Sequence, residues 1–428
     1  MNNNQYLIPK IQKPFSVELE LPGSKSIALR QLAMSALTEG TTTLESVPVC
    51  DDTDAMLDCL DRLGLSISKN NTKVKCIGPM NLVDDVTINP RMSGASTRFL
   101  IALAALRSGK TFIDGHESLR ARTNLPLVNA LGNLGCQIDS SDGHLPLTVR
   151  GPIQQSQSLS IDGSLSSQYI TALLLISSGT ANGRAIFEEI TVEGKLVSKP
   201  YIDITISEMG KRGIKARWKN PRTISIDRVK GYQAGQITIE GDATAASYAA
   251  SLACVHEGKV KFTNLGSNTN QGDYRFFEVL ESLGAKITRN QTSTLISGPS
   301  RLTPFKSVDM QDMPDVALTL IALAPLLNEE LSISGLSSLH HKECDRLECP
   351  ADEMLKMGVS VKTTSDSIRI QPTSIENLSA HTLTTYHDHR MAMAFSLLGS
   401  KTGQITVDDK FVVTKTYPNY WLDYEKLT

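Results

Sequence analysis

Nothing in these 428 residues approaches the run of roughly 20 apolar positions that a membrane-crossing helix needs; residues 99–106 read as a short stretch of helix core. Neither sign of charge dominates, with 43 Lys and Arg against 45 Asp and Glu, for a net charge of −2. There is no long basic run, and aromatic residues make up only 5%, so the charged grooves and stacking platforms that hold nucleic acid are missing. A GxGxxG fingerprint is also absent, which argues against a dinucleotide site. Gly109-Lys110-Thr111 resembles the tail of a phosphate-binding loop, but Ala104 stands where that loop needs Gly, and the segment reads as a strand start. The seven cysteines are scattered, odd in number and without zinc-finger spacing, as expected of reduced thiols in a cytoplasmic protein. His340-His341, His387-x-His389 and Cys344 do not amount to a metal site. The opening MNNNQYLIPK has no apolar signal region and gives no argument for export.

What is present is a repeat. Glycines 64, 135, 213, 284 and 358 recur at spacings of 71, 78, 71 and 74 residues, each closing a predicted helix. Full units read helix, strand, helix, strand, strand. The first runs SKSIALRQLAMSAL, TTTLESV, DDTDAMLDCLDRLG, LSISK, TKVKCIGP, and the fourth repeats that order from ATAASYAASLACV to STLISGP. Apolar spacing supports the second helices: Met56, Leu57, Leu60 and Leu63 share one face, as do Phe276, Val279, Leu280 and Leu283. Gly40, Gly109 and Gly258 are expected to end the first helices of their units. A sixth copy, from about His387, stops after its second helix, and the alternating strand at residues 15–21 precedes the first copy. That strand is expected to join the C-terminal half. The chain would then cross between two α/β domains twice, near Pro22-Gly23 and near Glu240-Gly241-Asp242. The expected domains are 23–241, and 1–22 with 242–428, with a hinge and an interdomain cleft.

Overlaying the units aligns their polar residues. At the starts of the first helices stand Ser24-Lys25-Ser26, Ser93-Gly94, Ser166-Ser167-Gln168, Asp242, Asp315 and His389-Arg390. Each alone is an ordinary helix cap. Six in register offer outward-pointing N–H groups and helix dipoles to an anion. The loops before the second helices hold Arg120 and Arg122, then Lys195, Ser198, Lys199 and Tyr201, then Lys342, Glu343 and Arg346, and finally Lys415. On a nearly neutral chain these are either solvated loop charges or a focused site for small, highly anionic ligands. Glu343 and Asp315 are carboxylates placed among those cations. Each is either a salt bridge or cap, or a group that takes and relays a proton.

LPGSKSIALR, DGSLSSQYITALL, LVSKPYIDITI, EGDATAASY, MPDVALTL, KECDRL, DHRMAMAFSL and KTYPNYW together resemble, in order and spacing, the 5-enolpyruvylshikimate-3-phosphate synthases of the enolpyruvyl transferase family. The resemblance spans essentially the whole chain. It implies a two-domain inside-out α/β barrel with three βαβαββ repeats in each domain. It implies transfer of the enolpyruvyl group of phosphoenolpyruvate to shikimate 3-phosphate, with no metal or organic cofactor, in a cytoplasmic monomer. Shikimate 3-phosphate would contact Lys25, Ser26, Arg30, Ser166, Ser167, Gln168, Ser198, Tyr201, Asp315, Ser338 and Lys342. Phosphoenolpyruvate would contact Lys25, Gly94, Arg122, Gln168, Arg346, Arg390 and Lys415. Glu343 and Asp315 would move protons, Lys25 would stabilise the departing phosphate, and His389 would support it electrostatically.

This chain departs from the usual pattern at Met92, Ala95, Ala28-Leu29, Thr123 and Ser338, none of which removes a charged residue. Two rivals stay open. The sister transferase acting on UDP-N-acetylglucosamine would carry a reactive cysteine within residues 117–125, where this chain has none. A noncatalytic homologue that binds a phosphorylated metabolite would not need Lys25, Asp315, Glu343, Arg346, Arg390 and Lys415 together.

Overall fold

The first helix of every repeat is almost wholly apolar or small, so it cannot lie on a surface. In Ala243–Val255 every residue except Ala249 is buried, which is the pattern of a helix packed on all sides. The computed structural model describes residues 4–154, 156, 158–178, 186–227 and 231–428. It divides into two units, Gly23–Ile239 and the pair Met1–Pro22 with Glu240–Thr428. In the first unit the lead helices Lys25–Ser35, Gly94–Ala104 and Ser167–Ile176 pack on one another at the centre. In the second, Ala243–Val255, Pro314–Leu323 and His389–Thr402 do the same. Sheets surround them with one face inward, as the alternating burial of Lys73–Gly78 and Leu331–Ser334 records. Helices inside and strands outside make each unit an inside-out α/β arrangement.

Among the described residues each unit contains three sheets. In five of the six, four strands pair with one parallel and two antiparallel junctions. The strand Ser16–Leu19 pairs in parallel with Lys259–Phe262, and so belongs with the fourth repeat. Gly235–Thr238 returns to pair in parallel with Gly40–Glu45 of the first. The sixth sheet has three strands, because Tyr6–Leu7 supplies an antiparallel edge to Ile405–Val407, which pairs in turn with His381–Leu383.

Gly64, Gly135, Gly213, Gly284 and Gly358 all have φ between 83° and 99°, the left-handed region that closes a helix without a Cβ clash. Gly40, Gly109 and Gly258 do not end the first helices, contrary to expectation. Those helices finish at Ser35, Ala104 and Val255, the residue immediately after each is not left-handed, and behind the last it is Glu257, at φ 53°, that takes the left-handed conformation. At Gly109 the reason for glycine is space: a Cβ would lie 2.3 Å from the Asp84 carbonyl oxygen. Among the described residues no helix is long and apolar enough to cross a membrane.

Candidate functional site

The lead helices of each unit start at the same end, and most of the residues singled out above gather there. In the Gly23–Ile239 unit, Lys25 Nζ donates to Asp52 Oδ2 at 2.9 Å. Asp52 lies in the first turn of the second helix of the same repeat, Asp51–Arg62, beside Ser96 of the next one, whose hydroxyl lies 3.5 Å from the Asp52 carbonyl oxygen. Gly94 opens its helix beneath two guanidinium groups. A Cβ there would meet Arg122 Nη1 at 2.7 Å and Arg98 Nη1 at 2.8 Å, with Gln168 Oε1 at 3.9 Å. The helix N-terminus, two Arg side chains and an amide therefore converge on one point, the composition of an anion site.

Arg98 is a residue that the sequence reading missed. It lies one helical turn after Gly94, donates to the Gly94 carbonyl at 3.0 Å and stands 6.0 Å from the Tyr169 ring centroid. Its i+4 spacing from Gly94 was the available signal. Tyr169 is fixed in turn by its hydroxyl, which donates to the Thr123 carbonyl at 2.8 Å.

Ser166 caps the third lead helix by accepting from the Gln168 amide at 3.2 Å, and Ser167 is buried beside it. Ser198, at φ 54°, turns the chain into the helix Lys199–Lys211. From that helix the Tyr201 carbonyl accepts Arg30 Nη2 at 2.9 Å, while Thr205 Oγ1 accepts Arg30 Nε at 2.8 Å. Arg30 also donates to the Ser26 carbonyl at 2.6 Å. Burial lowers the Arg30 pKa to about 10, with Tyr201 and Glu208 opposing the shift. It is thus a guanidinium held by protein oxygens, tying Ser26 to Tyr201. Lys199 pairs with Asp203 and covers the Trp218 ring, and Lys195 is exposed. Arg120, exposed, pairs with Asp114. These three are not drawn to the helix starts.

The other unit has a denser ionic cluster. Asp315, in the first turn of Pro314–Leu323, receives Lys342 Nζ at 3.3 Å and Arg346 Nη1 at 3.2 Å on one oxygen, and Arg390 Nη2 at 3.1 Å on the other. Glu343 accepts Arg346 Nη2 at 2.8 Å. Arg346, 2% exposed, also donates through Nε to Asp388 at 2.7 Å and through Nη2 at 3.1 Å. Burial works against the Arg346 charge, but Asp388, Glu343 and Asp315 outweigh it and hold its pKa above the ordinary value. Arg390 completes the cluster with Tyr248, whose hydroxyl lies 3.2 Å away.

Asp388 was not anticipated. The sequence reading began the sixth helix at His389-Arg390, whereas Asp388 caps it, accepting from the Arg390 amide at 2.9 Å. An Asp immediately before an apolar-periodic run was the signal. His389 is fully buried, with Nδ1 3.4 Å from Asp388 Oδ1. Lys415, 4% exposed, ends the short 3₁₀ helix Lys410–Lys415. Ser338 is half-buried in the 3₁₀ turn Ser337–His341. Asp273, also missed, is buried against Thr244; burial first and the Asp315 charge second raise its pKa to about 7. Among the described residues no three His, Cys, Asp or Glu side chains are grouped as metal ligands.

Cations at helix starts, with two carboxylates among them, can hold phosphate and carboxylate groups and move a proton between bound partners. The chain matches the model of the family described as EPSP synthase (3-phosphoshikimate 1-carboxyvinyltransferase) over residues 9–423. It is 36% identical over 425 residues to a 3-phosphoshikimate 1-carboxyvinyltransferase of Mannheimia haemolytica, with 96% of each chain covered. To the same-named protein of Trichormus variabilis it is 33% identical over 426 residues, covering 98% of each. A solved EPSP synthase structure from Acinetobacter baumannii shares the fold, with a TM-score of 0.76 at 22% identity over 98% of this chain and 97% of that one.

Proposed function

Because the chain belongs to the EPSP synthase (3-phosphoshikimate 1-carboxyvinyltransferase) family, we propose that it transfers the enolpyruvyl group of phosphoenolpyruvate to the 5-hydroxyl of shikimate 3-phosphate and releases phosphate. The observation that carries the residue-level reading is Asp315 held by Lys342, Arg346 and Arg390, with Glu343 on the same Arg346. Two carboxylates organised around shared cations suit a reaction that protonates one bound partner and deprotonates the other.

Glu343 delivers a proton to the methylene carbon of phosphoenolpyruvate, leaving its central carbon cationic. The shikimate 5-oxygen bonds to that carbon and its proton passes to Asp315. The resulting tetrahedral intermediate then returns a methyl proton to Glu343 as the carbon–oxygen bond to phosphate breaks, restoring the double bond. Lys25 and Lys415 stabilise the departing phosphate, and His389 contributes through Asp388. Ser166, Ser167, Gln168, Ser198 and Tyr201 bind shikimate 3-phosphate together with Lys25, Ser26, Arg30, Asp315, Ser338 and Lys342. Phosphoenolpyruvate takes Lys25, Gly94, Arg122, Gln168, Arg346, Arg390 and Lys415, to which Arg98 is added by its place above Gly94. The protein works as a cytoplasmic monomer.

Phosphate release measured with each candidate acceptor tests the reading. Release with shikimate 3-phosphate alone is expected. Release with UDP-N-acetylglucosamine instead moves the chain to the sister activity, and binding without release makes it a noncatalytic homologue.

A further inference from the structure

We propose that His340 is a positioning residue whose doubly protonated ring latches the loop of residues 342–346 to a neighbouring hairpin, and releases it on losing a proton. The ring lies between two groups that only accept. Nδ1 is 2.7 Å from Asp345 Oδ2, and Nε2 is 3.2 Å from the Ser365 carbonyl oxygen. A neutral imidazole carries one N–H and can donate to one of them, whereas the imidazolium donates to both. Asp345 is itself kept ionised, because its other oxygen accepts from the Leu347 and Glu348 amides, both at 3.0 Å. Burial opposes that charge, but His340 and the two amides outweigh it and hold the carboxyl below its ordinary range.

The latch bears on the loop that carries Lys342, Glu343 and Arg346. His340 belongs to the 3₁₀ turn Ser337–His341, and the Arg346 amide donates to the Leu339 carbonyl at 3.2 Å, folding the loop back on that turn. The hairpin of Val361–Thr363 and Ser367–Ile370 grips the turn at two points. Ser365 takes the His340 ring, and Asp366 Oδ1 accepts from the Ser337 amide at 2.7 Å. Asp345 also starts the next helix, Glu348–Lys356, its carbonyl accepting from the Cys349 amide at 2.9 Å. Arg346 has its own carboxylates in Asp388 and Asp315, so opening the latch frees Lys342 and Glu343 first.

The charged groups that face the ring are carboxylates, Asp345 from the loop and Glu348 from the helix, with the Ser365 carbonyl from the hairpin. The Asp345 bond first, against burial, and then the Asp345 charge, the carbonyl and Glu348 raise the His340 pKa above its ordinary 6.5. A group raised in this sense contributes a hold that is complete below 6.5 and is lost as pH rises through the folded value. The loop is therefore tied down on the acid side and loosened on the alkaline side.

The effect on turnover rests on the roles proposed above for Lys342 and Glu343; the latch itself does not. The test follows the ring of His340 by NMR in the full-length protein, with His340→Gln identifying its signal among the eight histidines. Its midpoint should lie above 6.5, and the Leu347 amide should shift with it. In a phosphate-release assay, kcat should fall about tenfold as pH rises through that midpoint, the factor that a hydrogen bond to a charged group is worth, while KM for phosphoenolpyruvate stays. His340→Arg, charged at every pH and able to donate to both acceptors, should lose this fall. His340→Gln should start about tenfold low at about pH 6 and show no such step. A ring midpoint at or below 6.5, parallel alkaline falls in the parent and His340→Arg, or parental kcat in His340→Gln at about pH 6 overturns the proposal. If no acceptor supports phosphate release at any pH while ring and amide titrate together above 6.5, the functional reading has failed and the latch stands.

Discussion

Removing a carboxylate from beside a buried guanidinium costs more than the pair contributes, because the charge left behind has no water to turn to. Asp388 is fully buried and accepts from Arg346 and from the Arg390 amide. Asp388→Ala is expected to destabilise the fold by about 3–5 kcal/mol, read from denaturant unfolding. Glu343→Gln should behave differently: the amide oxygen still accepts from Arg346, and Asp388 and Asp315 stay on that guanidinium, so unfolding shifts less than in Asp388→Ala, while kcat falls by about 100- to 10,000-fold and shikimate 3-phosphate still binds. Calorimetric binding beside a phosphate-release assay checks both halves. Gly94→Ala should spare the fold and raise KM for phosphoenolpyruvate by about tenfold. Its Cβ would strike only the flexible ends of Arg122 and Arg98, which must then move off the helix start. Unchanged KM in that variant would remove Gly94 from the site. Residues with a strong local signature, such as Ser166 before an apolar helix, were legible from sequence. Asp273 was not, because its significance lies in neighbours far along the chain, Thr244 and Asp315; Arg98 had only its i+4 spacing from Gly94, while Arg122 and Tyr169 beside it come from elsewhere in the sequence.

Between elements, the lead helices are held in register by polar ties that periodicity does not reveal. His256, just past Ala243–Val255, meets Ser400 near the end of His389–Thr402 at 2.8 Å, while Ser400 donates to the Leu397 carbonyl. Burial, then Lys401 and Lys10, depress the His256 pKa from 6.5 to about 3. Between those values the unfolded chain binds a proton that the folded one refuses, so this group's stabilisation is present above pH 6.5 and lost as pH falls toward 3. His256→Gln keeps an amide donor without the titration. Its unfolding midpoint is expected to drop less than that of the parent between pH 7.5 and pH 5, roughly one pH decade either side of an ordinary histidine. An equal drop in both proteins would deny the histidine this role. The elements themselves were legible because closing glycines and apolar spacing are local signals. Gly40, Gly109 and Gly258 misled for the opposite reason: at Gly109 and Gly258 the demand comes from contacts with Asp84 and Phe15, not from their own helices.

At the scale of the molecule, the described residues form two hydrophobic cores with no residue in common. One draws only on residues of Gly23–Ile239, and the other only on Met1–Pro22 and Glu240–Thr428. A contiguous unit with its own core should fold by itself. Residues 23–239 expressed alone are expected to melt cooperatively by circular dichroism and to release no phosphate from phosphoenolpyruvate, since Asp315, Glu343, Arg346, Arg390 and Lys415 belong to the other unit. A noncooperative melt would show that the core is insufficient, and turnover would show that the division of roles is wrong. The sixfold architecture was visible in sequence because it is written six times. The ionic cluster around Asp315 was visible only as a set of residue types, since no spacing in the chain encodes which carboxylate meets which cation.

The parallel pairing of Ser16–Leu19 with Lys259–Phe262 has a consequence for the order in which the chain is made. Glu18 and its cross-strand partner Lys261 are 243 residues apart. At a ribosomal rate of about 5–20 residues per second, the first of these strands waits on the order of 10–50 s for the second. Throughout that interval Gly23–Ile239 is emerging and can complete its own core, while the segment ahead of it has nothing to pair with. A strand made ahead of the whole insert meets its partner only after that insert is complete, and the finished insert holds its two ends together until then.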